Sequence, residues 1–327
     1  MTAIPSYRVL LVGAGIIGRR HAENLMRLVP GVRLSVLRGQ LGPDWPGAVD
    51  YVADYETALA AKPDAAVVAS PTAAHLEALV SLLPAGVPCY VEKPVVSNRA
   101  QFHELQTILA GLRAPPVTFA GCNFRLMPSL QRLKTLLDTG AIGRVVRASI
   151  QVGQWLPDWR PGRDYRSFYS ADAERGGGVI LDLIHEIDQV RWLLGEFEQV
   201  QAVAGHLSQL QIDSEDTACA LLSRPGGPFV TLAQDYVARR RVRRYEFVGD
   251  AGTLTWDFAE AKLTLTNGER SETVDCGPAA FDVAATYAAA LEAFLAGVAR
   301  GTPTSQDLRD GLASLDLALR IKEAAGL

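Results

Sequence analysis

Gly13-Ala14-Gly15-Ile16-Ile17-Gly18 decides how the first third of this chain is read. The run before it, Arg8–Val12, is rich in valine and leucine. The run after it, Ile16–Leu28, repeats its apolar residues at helical spacing. Strand, glycine turn and helix follow one another, and each glycine answers a separate steric demand. Gly13 permits the tight turn, Gly15 lets the backbone approach a pyrophosphate, and Gly18 lets the helix pack on the strand. The open helix N-terminus offers N–H groups and a positive dipole end to phosphates. Ile16 and Ile17, in the first helical turn, join the three glycines as candidate dinucleotide contacts.

Outward from this turn, strand and helix patterns alternate. Strands are predicted at Arg33–Leu37, Ala65–Ala69, Pro88–Val91 and Val117–Ala120, and helices at Tyr55–Ala61, Ala74–Leu83 and Arg99–Gly111. The strands show little polar alternation, as expected of a parallel sheet buried on both faces. The character changes near Gly121. A helix at Pro128–Leu137, a strand at Val145–Trp155 and one long helix at Ile180–Leu194 lead into successive strands. These fall at Val200–Leu210, Asp216–Leu222, Phe229–Tyr236, Val242–Val248, Thr253–Trp256 and Lys262–Leu265, and helices at Val283–Arg300 and Asp307–Glu323 close the chain. Strands without intervening helices predict a mainly antiparallel sheet. The expected fold is α/β, with a parallel, doubly wound Rossmann domain over residues 1–122 and an α+β domain over residues 123–327.

A net charge of −4 across 327 residues gives no general attraction to nucleic acid or anionic membrane. No apolar run approaches the length of a membrane span, and Met1–Arg8 lacks a signal-peptide pattern. Cys89, Cys122, Cys219 and Cys276 are far apart, which reads as reduced thiols in a cytoplasmic protein. The five histidines show no metal-binding spacing, so no metal is expected. The basic run Arg239-Arg240-Arg241 reads as a solvated strand edge.

Arg38 follows the second strand, where an acidic residue would hold the ribose 2′-hydroxyl of NAD. An arginine there suits a 2′-phosphate. NADP is therefore favoured, with NAD the alternative and a solvated surface arginine the plain reading.

Five marks occur in order: GAGIIGRRHAENL (Gly13–Leu25), SPTAAH (Ser70–His75), EKP (Glu92–Pro94), NFRLMP (Asn123–Pro128) and GGGVILDLIHEIDQVRWLLG (Gly176–Gly195). With them the chain resembles the Gfo/Idh/MocA oxidoreductases over nearly its whole length. The resemblance implies a Rossmann domain followed by a domain with an open antiparallel sheet, and oxidation or reduction of sugars, polyols or sugar nucleotides. It implies that Lys93, Asp182 and His185 lie at the reacting centre. Ser70, Pro71 and Thr72 line the cofactor, and His75, Glu92 and Lys93 are counted with them. The stretch Gly153–Gly178 resembles a branch associated with bacterial surface-sugar pathways.

Hydride removal from a carbinol needs a base for the hydroxyl proton and a cation for the developing alkoxide. Lys93, after strand Pro88–Val91, is the candidate cation. Asp182 and His185, three residues apart, are expected on one helical face, as orienting carboxylate and base; many members of the family have the histidine four residues after the aspartate, and here Glu186 takes that place. The plain alternatives are an exposed loop lysine, a capping aspartate and a packed histidine. Trp155, Arg163, Tyr165 and Arg166, with Arg125 from the NFR mark, suit an anionic sugar or sugar nucleotide, and equally a subunit contact. The expected protein is thus a homodimeric or homotetrameric NAD(P)-dependent dehydrogenase or reductase acting on a sugar-type small molecule. A dinucleotide-binding sensor without catalysis, and a nicotinamide-assisted glycoside hydrolase, are the competing readings.

Overall fold

The computed structural model describes residues 7–37, 45, 47 and 49–327. The chain divides into two compact units, Met1–Asn123 with Thr286–Leu315, and Phe124–Ala285 with Asp316–Leu327. The first unit therefore takes a segment, residues 286–315, from the span expected for the second.

In the first unit, strands β1 (Arg8–Val12), β2 (Arg33–Leu37), β3 (Val49–Val52), β4 (Ala65–Val68), β5 (Cys89–Val91) and β6 (Thr118–Ala120) form one sheet in the order β3-β2-β1-β4-β5-β6. Every pairing is parallel. Helices α1 (Ile16–Leu28), α2 (Tyr55–Ala60), α3 (His75–Leu82) and α4 (Arg99–Gly111) make the crossovers. The central strands β4 and β5 are buried at every position, which is why they read as unbroken apolar runs. The strand order reverses beside β1. Sheets of this kind bind ligands at the carboxyl ends of the strands at such a point.

The second unit carries α5 (Pro128–Asp138), β7 (Val145–Gly153), α6 (Val179–Asp182), α7 (Ile184–Leu194), β8 (Gln199–Gly205), β9 (Thr217–Ser223), β10 (Phe229–Asp235), β11 (Val242–Gly249), β12 (Thr253–Asp257), β13 (Lys262–Asn267) and β14 (Arg270–Thr273). Its eight strands run β14-β13-β12-β11-β7-β10-β9-β8. Only β7 and β10 pair in parallel. Strands β9 to β11 alternate buried and exposed positions, so one face packs inward and the other is open. Contacts from α5, α6 and α7 reach the sheet at β12, β9, β10 and β7. Trp256 on β12 is fully buried, and its indole donates to Ser129 Oγ of α5 at 2.9 Å while its ring packs on Tyr245, with centroids 4.7 Å apart.

Two closing helices follow, α8 (Val283–Arg300) and α9 (Leu308–Ala324). The link between them explains why residues 286–315 group with the first unit. Thr304 Oγ1 donates to Thr118 O at 2.6 Å, Gln306 Nε2 to Cys122 O at 2.9 Å, and Ala120 N donates to Gln306 O at 2.6 Å. The link thus covers the otherwise open edge of β6. Among the described residues, α8 alone is long and apolar enough to cross a membrane by length and composition. This corrects the expectation that no such run exists. Its buried residues, Thr286, Ala290, Phe294 and Gly297 among them, mark one face turned into the fold.

Three further expectations are corrected. Strands β3 and β14 were not predicted; β3 is half-exposed and β14 fully exposed, so neither carries an apolar pattern. The strand expected to reach Leu210 ends at Gly205. The single helix expected at 180–194 is broken at Leu183 (φ −96°, ψ 31°), whose carbonyl accepts from Gln234 Nε2 at 2.8 Å instead of continuing one helix.

The glycine turn is packed tightly on its inner side and open on its outer side. Gly13 has φ +101°, and a β-carbon there would lie 2.6 Å from Ser70 N. A β-carbon on Gly18 would lie 2.0 Å from Gly13 O. One on Gly15 would meet nothing within 4 Å. The protein itself therefore tolerates a side chain at Gly15, and only a ligand approaching the turn would exclude it. Gly18→Ala is expected to destabilise the fold by about 1–3 kcal/mol in chemical denaturation. Gly15→Ala is expected to unfold like the wild type yet bind NADH and NADPH about tenfold more weakly or worse. Unchanged dinucleotide affinity in Gly15→Ala would contradict this reading of the turn.

Candidate active site

Helix α1 begins at Gly15 with no side-chain cap and no acidic residue in its first turn. Its first N–H groups and positive dipole end are thus left for an anion. Gly15 and Ile16 are exposed and Ile17 is half-buried. This donor set, beside a glycine with open space over it, fits a dinucleotide pyrophosphate. Arg38 lies outside the described residues.

Two neighbouring strands bring further loops to the same edge of the sheet. After β4, Ser70 presses its backbone against Gly13, and Thr72 starts a single 3₁₀ turn in which Ala74 N donates to Pro71 O at 2.9 Å. Ser70 Oγ is buried with no partner among the described residues. After β5, Glu92 N donates to Val68 O at 2.9 Å, and half-buried Lys93 precedes Pro94 through a cis peptide. The sheet thus sets Gly13–Gly18, Ser70–Thr72 and Lys93 side by side after β1, β4 and β5.

Two expected cofactor contacts have protein partners instead. The Glu92 carboxylate, 8% exposed, meets His21 Nε2 of α1 at 2.6 Å. His75 is 1% exposed, with Nδ1 3.0 Å from Pro94 O and Nε2 2.9 Å from Ser70 O. Both side chains are buried and hydrogen-bonded within the protein. Sequence reasoning left the facing of His21 open, because its partner stands 71 residues away.

In the second unit Gly176-Gly177-Gly178 leads into α6. A β-carbon on Gly178 would lie 2.3 Å from the Glu215 carboxylate, and Glu215 also accepts from Ile180 N at 3.3 Å and pairs with Lys322 Nζ at 3.1 Å. Glu215 thus fills this helix N-terminus with a protein carboxylate. Asp182 ends α6, 4% exposed, and accepts from three hydroxyls: Tyr169, Ser170 at 2.6 Å and Tyr236 at 3.1 Å. Burial, reinforced by the charge of Asp182, pushes the Tyr236 phenol well above its ordinary range, so it stays a donor. His185 opens α7 and stacks on Phe124, with centroids 4.5 Å apart and planes 7° apart. Because of the break at Leu183, Asp182 and His185 lie on successive helices rather than on one helical face. Tyr236 carried no signal in the sequence, whereas Tyr169 lay in the aromatic stretch already noted.

Helix α7 is buried nearly all round, and its acids are paired. Glu186 meets Arg243 Nε at 2.8 Å and accepts from Tyr245 Oη at 2.8 Å. Asp188 takes a two-pronged contact from Arg125, at 2.8 and 2.5 Å. Arg125, expected on a substrate, is held on one side by Asp188. Of the aromatic and arginine stretch, Trp155 carries the Arg239 guanidinium over its ring at 3.6 Å. Arg163 is exposed. Tyr165 Oη accepts from Gln211 N at 3.1 Å, and Arg166 donates to Asp164 and, at 3.0 Å, to Gln211 Oε1. Hydrogen bonds from Arg166 hold the Asp164 carboxyl below the usual range. Tyr165 and Arg166 therefore tie a surface turn together. Among the described residues no group of His, Cys, Asp or Glu could hold a metal ion, and all four cysteines are free.

Comparison with known proteins follows the two units. Residues 7–114 match the model of an oxidoreductase family with an NAD-binding Rossmann fold, and residues 130–255 match the GFO/IDH/MocA C-terminal domain. An oxidoreductase of Formosa agariphila is 24% identical over 62% of this chain; the chain spans 62% of that relative's length. A myo-inositol 2-dehydrogenase of Thermotoga maritima is 25% identical over 97% of this chain and 96% of its own. The structure of a UDP-N-acetylglucosamine 3-dehydrogenase from Acidithiobacillus ferrooxidans superposes with a TM-score of 0.77, at 25% identity over 97% of each chain. The chain belongs to the GFO/IDH/MocA family of oxidoreductases, with the NAD-binding Rossmann fold of that family in its first unit.

Proposed function

We propose that this protein is an NAD(P)-dependent dehydrogenase or reductase that moves a hydride between nicotinamide and a carbinol or carbonyl carbon. The substrate class is a sugar, sugar acid or nucleotide-activated sugar. The observation that carries the reading is the alignment of Gly13–Gly18, Ser70–Thr72 and Lys93 on the carboxyl ends of β1, β4 and β5. A bound nicotinamide supplies or accepts the hydride. The α1 N-terminus and the glycine turn hold the pyrophosphate, and Ser70, Pro71 and Thr72 flank the dinucleotide.

Lys93 is the cation that favours the developing alkoxide, because an ammonium fixed near the reacting oxygen stabilises charge formed only in the transition state. His185 passes the hydroxyl proton. Its stack on Phe124 keeps the ring plane fixed, as a proton-transfer group requires. Asp182, held by three hydroxyls, is the fixed anion beside it in sequence. Arg125, Trp155, Arg163, Tyr165 and Arg166 are the candidates for recognising an anionic substrate group. Arg38, after β2, favours NADP by contact with a 2′-phosphate. The inositol dehydrogenase and the nucleotide-sugar dehydrogenase among the relatives support a polyhydroxylated substrate.

The open face of the eight-stranded sheet exposes Val203, Leu221 and Phe229, which supports a homodimer or homotetramer. Light scattering is expected to give two or four chains, and a monomer would count against this.

The assay is the absorbance of NADH and NADPH with a panel of carbonyl sugars and nucleotide sugars. The wild type is expected to consume reduced cofactor, NADPH binding more tightly than NADH. Lys93→Ala is expected to lose about a hundredfold or more in turnover. No consumption across the panel, or full turnover by Lys93→Ala, would sink the proposal.

A further inference from the structure

The histidine pair under the Lys93 loop has a hydrogen-bond problem that points to a role. His75 sits on the first turn of α3, 1% exposed, and each of its ring nitrogens faces a carbonyl oxygen. A neutral imidazole has one N–H and one lone pair. With Ser70 O at 2.9 Å from Nε2 and Pro94 O at 3.0 Å from Nδ1, a neutral ring would aim its lone pair at one of the two oxygens. Only a ring with both nitrogens protonated satisfies both contacts.

The charge this requires has a counterpart in Glu92. The Glu92 carboxylate acts on His75 by its charge, while Glu92 is itself held by His21 Nε2 at 2.6 Å. His21 Nδ1 is buried with no partner among the described residues. The Glu92 carboxylate thus lies between the two histidines, bonded to His21 and acting by its charge on His75, and so offsets a protonated His75, as a buried cation requires. Burial, the largest influence on His75, pushes its imidazole down, against the Ser70 and Pro94 carbonyls and Glu92. The two-acceptor geometry argues the other way, because deprotonation would leave a lone pair against a carbonyl.

We propose that His75 is a positioning residue, doubly protonated at neutral pH, that ties the cofactor loop after β4 to the Lys93 loop after β5. Ser70 is pressed on Gly13, and Pro94 directly follows Lys93, so one ring fixes the spacing between the dinucleotide turn and the reactive ammonium. Glu92, clamped by His21, holds the same loop from the α1 side. This rests on the dehydrogenase reading for its purpose, and on the hydrogen bonds alone for its existence.

The test uses the full-length protein with ¹⁵N-labelled histidine, and the signals are assigned by comparison with His75→Phe and His21→Phe. The expected spectrum at pH 7 shows both His75 nitrogens protonated. In His75→Phe, which keeps the ring volume, NADH affinity measured by fluorescence is expected to fall about tenfold. A bare nitrogen on His75 at pH 7 would overturn the proposal whether or not the variant folds. So would wild-type NADH affinity in a folded His75→Phe. Failure of the wild type to bind any dinucleotide would instead count against the dehydrogenase reading, since the nitrogen spectrum is read without cofactor.

Discussion

A β-carbon on Gly18 would lie 2.0 Å from the carbonyl oxygen of Gly13, and one on Gly13 would lie 2.6 Å from the nitrogen of Ser70. This crowding brings the end of β1, the start of α1 and the loop after β4 together without side chains between them. The rest of the first unit is arranged around that contact. Helix α1 can lie against β1 only because Gly18 is bare, and its uncapped N-terminus then faces outward with free N–H groups. The Ser70 loop, held on Gly13, passes the constraint through His75 to Pro94 and so to Lys93.

The second unit solves a different problem. Helix α7 is buried along almost its whole length and still carries His185, Glu186, Asp188 and Gln189. Buried charge is costly unless paired. Glu186 is met by Arg243 and Tyr245, and Asp188 by Arg125. Those pairs fix the helix rotation about its axis, and hence the position of His185. Phe124 takes part twice, stacking on His185 and lying under the Arg243 guanidinium at 4.6 Å. Asp182 accepts from the hydroxyls of Tyr169, Ser170 and Tyr236, which hold its carboxylate in place.

Much of this was legible in the sequence because it rests on local patterns. The parallel strands announce themselves as unbroken apolar runs, and the glycine turn by its spacing between strand and helix. The place of Lys93, just after a buried strand, was legible as well. Features that depend on distant partners were not. Nothing in Ile-Leu-Asp-Leu-Ile-His marks a helix break; the Leu183 carbonyl at the break accepts from Gln234, 51 residues on. The partner of Arg125, Asp188, lies 63 residues away, so their pairing leaves no local pattern. The polar run of β14, Arg270–Thr273, has no buried side to leave a pattern, and its pairing with β13 comes from the backbone alone.

The central claim is that a dinucleotide is gripped where β1, β4 and β5 end. Hydrogen–deuterium exchange of the intact protein, with and without saturating NADPH, tests it most directly. The account predicts slowed exchange in three separate segments, residues 15–19, 70–75 and 92–95, with β12 to β14 unchanged. Binding of the dinucleotide with no protection in the glycine turn would contradict it.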